Sequence, residues 1–166
     1  MLTVSDRGAR GESIDESGPA LQRRLRELGY EVLGVELISD GKETVSQKLR
    51  ELCARGDARL ILTTGGSGLA PRDQTPEGTL AVAERVVPGL MESARRSCCA
   101  ITPLAALSRG VAVIRGASLI VNLPGHPKAA LETLDSIQQL LPHALQILGV
   151  AGACDQTGRG EGNSRS

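Results

Sequence analysis

The short apolar run Leu60-Ile61-Leu62-Thr63 passes without a break into Thr64-Gly65-Gly66-Ser67-Gly68, and this junction restricts the fold more than any other stretch. The run is too short for a helix and too apolar for a surface element. It reads as a central strand of a sheet covered on both faces. Open α/β sheets bind ligands in the crevice beyond the carboxyl ends of their strands, where these glycines fall. Residues without a Cβ let backbone N–H groups approach and surround a phosphate, and the hydroxyls of Thr64 and Ser67 add donors. A tight turn needing positive φ explains one glycine, but not three in four residues. No Lys follows, so the loop is not a Walker A motif. Pro71 stands where a dinucleotide fingerprint wants its third Gly.

The rest of the chain alternates short apolar runs with amphipathic ones, the pattern of an α/β layer fold with a mainly parallel sheet. Strands are predicted at Met1–Val4, Tyr30–Ile38, Val111–Ile114 and Leu119–Leu123. The last two are parted by Arg115-Gly116 and form an antiparallel hairpin at one sheet edge. Helices are predicted after Pro19 with Leu21, Leu25 and Leu28 on one face, over Thr44–Arg55 with Val45, Leu49 and Leu52, and from Thr75-Pro76-Glu77 to Pro88. Further helices are predicted over Leu90–Cys99 and from Pro127 with Leu131, Leu134 and Ile137. Pro142 kinks the last helix or starts a new one. From Gly149 the chain loses its period, so residues 149–166 read as a loose polar tail.

Nineteen Lys plus Arg balance nineteen Asp plus Glu in 166 residues, so no net field draws the chain to nucleic acid or an anionic membrane. With no Phe, no Trp and only Tyr30, it also lacks aromatic platforms for stacking single strands. No run approaches the roughly 20 apolar residues of a membrane helix. The four cysteines show no C-x-x-C pair and the chain opens without a signal-like segment, which points to the cytoplasm and away from a zinc site.

Three further segments can carry chemistry. In Pro71-Arg72-Asp73-Gln74-Thr75-Pro76-Glu77, Asp73 either caps local N–H groups or helps hold a divalent ion beside phosphate. Asp40 also follows a strand, so the two carboxylates can converge on one crevice. In Asn122-Leu123-Pro124-Gly125-His126-Pro127-Lys128, a Lys in the first helical turn opposes the helix dipole; it either faces water or answers a bound anion. Ser5-Asp6-Arg7 and Ser108-Arg109 add small polar and basic groups at loop positions.

Taken together, Thr3-Val4-Ser5-Asp6-Arg7, the glycine loop, Pro71 to Glu77, Leu107-Ser108-Arg109 and Asn122-Leu123-Pro124-Gly125 resemble the MogA/MoaB family of molybdopterin adenylyltransferases, from about residue 1 to about 148. The resemblance implies a three-layer α/β/α molybdopterin-binding domain over 1–148, forming a trimer and in some members a hexamer. It implies transfer of AMP from ATP to the terminal phosphate of molybdopterin, with Mg²⁺, releasing pyrophosphate. Asp40 and Asp73 would be the catalytic and metal-binding pair, and Thr64, Gly65, Gly66, Ser67 and Gly68 would hold the nucleotide. Ser5, Asp6, Ser108, Arg109, Asn122, Pro124, Gly125 and Lys128 would line the substrate side. A partner that inserts molybdate would take the product. A catalytically silent molybdopterin-binding scaffold is the competing reading, which retention of both aspartates disfavours. Gly78 replaces the family's usual Ala, which by helix propensity loosens that turn by somewhat under about 1 kcal/mol.

Overall fold

A computed structural model describes residues 1–156 of the chain. The predicted central strand is β3 (Leu60–Thr64), with β1 (Leu2–Val4) and β6 (Ser118–Leu123) parallel to it on either side. Beyond β1 lies parallel β2 (Glu36–Ile38), and beyond β6 lie antiparallel β5 (Ala112–Arg115) and β4 (Arg85–Val86). The order is β2-β1-β3-β6-β5-β4. All four parallel strands release their carboxyl ends along one edge, and that edge builds the site.

The helices are α1 (Asp6–Ala9), α2 (Ser17–Glu27), α3 (Lys42–Arg55), α4 (Thr75–Leu80), α5 (Pro88–Cys99), α6 (Pro127–Ile137) and α7 (Leu141–Gln156), with a 3-10 turn at Pro103–Leu107. Period-two alternation sends successive strand residues to opposite faces. Leu62, Leu119 and Val121 meet Leu21 and Leu25 of α2, Leu90, Met91 and Ala94 of α5, and Leu134 and Ile137 of α6. Ile61 and Ile120 meet Val45, Leu49 and Leu52 of α3 on the other face. Three layers result, as expected.

Four local readings change. The strand expected at Tyr30–Ile38 is ordered as β only over Glu36–Ile38, because β1 offers three residues to pair with it. The hairpin of β5 and β6 forms, but β6 is an inner strand and the unforeseen two-residue β4 makes the edge. The helix from Thr75 stops at Leu80 rather than reaching Pro88, since the chain must turn into β4. Pro142 falls in the first turn of α7, so of the two expected outcomes the separate helix is the one formed. That helix runs to Gln156, past Gly149 where the tail was expected to begin, and residues 157–166 lie outside the described residues. Among the described residues, no helix is long and apolar enough to cross a membrane.

Candidate active site

The loop after β3 turns through two left-handed glycines, Gly65 at φ +99° and Gly66 at φ +61°. A Cβ on Gly65 would enter the Val4 carbonyl, and one on Gly66 would enter the Thr75 hydroxyl and the Asp40 carboxylate. Both positions therefore require glycine for close approach as well as for φ. Gly65 spends its N–H on the Leu123 carbonyl (3.3 Å). The N–H groups of Gly66, Ser67 and Gly68 find no acceptor among the described residues, which is what an anion needs. The flanking hydroxyls are already engaged: Thr64 Oγ1 donates to the Pro124 carbonyl (2.7 Å) and Ser67 Oγ to that of Leu123 (3.4 Å). They tie the glycine loop to the turn after β6.

Asp40, just past the end of β2, is 9% exposed. Its Oδ1 accepts the amides of Gly41 (2.8 Å) and Gln74 (3.1 Å), joining the starts of α3 and α4. Burial pushes this carboxyl above the ordinary carboxylate value; the two amides oppose the rise, and the charges of Asp73 and Asp6 add to it. Asp73 lies across the same cavity, and its Oδ2 accepts the Ala70 amide (3.0 Å).

Two cavities meet at this loop. The polar one, about 410 Å³, is lined by Ser5, Asp6, Asp40, Thr64, Gly65, Arg72 and the loop Ser13 to Ser17. The larger and more apolar one, about 700 Å³, lies under α5, α6 and the 3-10 turn, with Leu69, Met91, Leu104, Leu107, Ser108 and Pro124 on its walls. Gly66, Asp73 and Gly125 border both.

Several residues read as substrate contacts are placed otherwise. Arg109 donates to the Gly68 carbonyl (2.7 Å), to the Asp73 carbonyl and to Glu77 Oε1, so its guanidinium braces the loop instead of facing either cavity. Asn122 is fully buried and donates to Thr63 Oγ1 and Thr79 Oγ1 (both 2.9 Å), bolting β6 to β3 and α4. Lys128 borders neither cavity and lies 3.9 Å from Glu132. Asp6 accepts a fork from Arg72 and the Asp40 amide (3.0 Å). Ser5, Asp6, Ser108, Pro124 and Gly125 do line the cavities.

Sequence reading missed Arg95, Glu132 and Thr133 on the walls of the larger cavity. The available signal was the small residues Ala94 and Ala129 beside them, which leave space between α5 and α6.

A divalent ion can be judged against the donors present. Among the described residues no three His, Cys, Asp or Glu side chains gather to hold a metal. Asp40 and Asp73 instead face one cavity, and the Thr75 hydroxyl, buried against Gly66, has no partner among the described residues. Such a partial set of hard oxygens fits a Mg²⁺ that completes its shell with phosphate and water.

Comparison with known proteins agrees with this architecture. Residues 1–143 match the family described as probable molybdopterin binding domain. A curated molybdopterin adenylyltransferase of Haemophilus influenzae is 44% identical over 140 residues, covering 83% of this chain and 71% of that protein. That of Escherichia coli is 42% identical over 140 residues, covering 83% and 72%. The crystal structure of a molybdopterin biosynthesis enzyme, MoaB of Thermus thermophilus, superimposes with a TM-score of 0.84 at 48% identity, covering 89% of this chain and 92% of that one.

Proposed function

This chain belongs to the molybdopterin-binding domain family of molybdenum cofactor biosynthesis, and on that footing we propose that it is a molybdopterin adenylyltransferase. The terminal phosphate of molybdopterin attacks the α-phosphorus of ATP. A new P–O–P linkage forms as the bond to the β-phosphate oxygen breaks, and pyrophosphate leaves with that electron pair. The observation that carries this reading is the shared border of the two cavities. A pterin in the larger cavity and a nucleotide in the polar one bring their phosphates together at Gly66 and Asp73.

The chain's contribution is positioning and charge compensation, which is most of what phosphoryl-type transfer asks of a protein. The free N–H groups of Gly66, Ser67 and Gly68 bind the nucleotide phosphates. Asp40 and Asp73 hold Mg²⁺, which when bound neutralises the crowded phosphate oxygens. Ser108, Pro124 and Gly125 border the pterin, and Arg109, Asn122 and Asp6 keep the frame rigid. On the family resemblance we also read the unit as residues 1–148 of a cytoplasmic homotrimer that passes its product to a molybdate-inserting protein.

Incubating the purified protein with molybdopterin, ATP and Mg²⁺ tests the reading. Stoichiometric pyrophosphate and adenylylated pterin are expected. Pterin binding without pyrophosphate would instead identify a silent scaffold.

A further inference from the structure

Glu132 lies on α6 with Ala129 and Thr133, at the spacing that puts all three on one helix face, and that face walls the larger cavity. Its side chain is 23% exposed, and among the described residues it accepts no hydrogen bond from the protein. The nearest cation among the described residues is Lys128 Nζ at 3.9 Å, on a side chain 78% exposed, a loose surface pair that leaves the carboxylate largely unsatisfied. Apart from Asp73 at the glycine loop, Glu132 is the one carboxylate on this cavity among the described residues. Arg95 borders the same cavity from α5, and among the described residues only its Nη1 is committed, to the carbonyls of Gly110 (3.0 Å) and Ser108 (3.4 Å). The remaining lining is mostly apolar, sulfur or hydroxyl: Leu69, Met91, Ala94, Cys98, Thr102 and Thr133 among them.

A half-buried carboxylate without donors asks for a ligand that brings two of them. We propose that Glu132 and Arg95 read the 2-amino-4-oxopyrimidine edge of the pterin, with Glu132 accepting from the ring N–H and the 2-amino group and Arg95 donating to the 4-oxo oxygen. The assignment rests on the adenylyltransferase reading for which end of the substrate enters this cavity. Two parallel N–H···O bonds to one carboxylate are charge-assisted and directional. A site built around them discriminates strongly against an analogue that lacks one donor, because its carboxylate oxygen is then left unpaired. Guanine carries the same edge, so the test must separate the two.

Fluorescence titration with pterin and with lumazine, which has oxygen in place of the 2-amino group, reads the edge directly. Wild-type protein is expected to bind pterin at least about tenfold tighter than lumazine. Glu132→Gln, which presents one acceptor and one donor, should weaken pterin by a similar factor and erase the preference. Lys128→Met should change neither. Folded Glu132→Gln with intact pterin affinity and preference would overturn the proposal, as would wild-type protein without a preference. Tighter binding of GMP than of pterin would assign the cavity to guanine nucleotides and overturn it too. If wild-type protein selects pterin through Glu132 yet releases no pyrophosphate, the transferase reading fails and the edge assignment stands.

Discussion

Asp73 borders both cavities, the place where the proposed reading brings the two phosphates together. Asp73→Asn keeps the side chain's size and an oxygen for the Ala70 amide. Turnover should therefore fall roughly 10²–10³-fold while the melting temperature holds. Near-normal turnover in a steady-state assay would reduce Asp73 to a structural cap. Arg109 illustrates the opposite kind of residue, one that acts through others. Its fork gathers the carbonyls of Gly68 and Asp73 and the Glu77 carboxylate, a pattern an ammonium cannot copy. Burial works to raise the Glu77 carboxyl, but the Arg109 hydrogen bond, a backbone N–H and nearby positive charge together hold it below its ordinary 4.5. A depressed folded-state value contributes stability that is present above the unfolded value and lost as pH falls through the folded one. Melting temperatures recorded from pH 7 down to pH 3 should thus fall more steeply for wild type than for Glu77→Gln. Parallel curves would show that the pair contributes no such stability.

At the level of elements, close approach of helix to helix decides what the glycines are for. A Cβ on Gly78 would lie 2.7 Å from Val45 Cβ and 2.9 Å from the Lys42 carbonyl, so α4 packs onto the start of α3 only because position 78 has no side chain. Helix propensity alone predicts that Gly78→Ala stabilises by about 1 kcal/mol. Overpacking against backbone reverses the sign, and chemical denaturation should show a loss of about 1–3 kcal/mol. A gain would mean that α3 and α4 can separate freely. The β3–α4 loop is constrained the same way, since a side chain on Gly66 meets Thr75 and Asp40. Gly66→Val should abolish calorimetric ATP binding, and parent-like affinity would remove the loop's role as a phosphate cradle.

For the protein taken entire, nucleotide and divalent ion should act as one ligand, because Asp40 and Asp73 repel across a single cavity until a cation lies between them. At ATP and Mg²⁺ about a hundredfold above their joint Kd, linkage gives about 2.7 kcal/mol, or a rise in Tm of about 5–10 °C. ATP without Mg²⁺ should give little of it, and Asp40→Asn should lose the Mg²⁺-dependent part; an undiminished rise in that variant would separate Asp40 from the metal. The buried β3, the glycine turn, the helices α2, α3, α5 and α6, and the positions of Asp40 and Asp73 beyond strand ends were all legible in the chain. Apolar period, turn chemistry and strand-end position are written within windows of a few residues. Long-range packing settled the rest: that β2 pairs over three residues, that β4 completes the sheet, that Gly78 is a packing requirement and that Arg109 turns inward. It also settled that Glu132 faces a cavity between α5 and α6. Each of these depends on a partner distant along the chain, and a local pattern of residues holds no record of which remote groups it will meet.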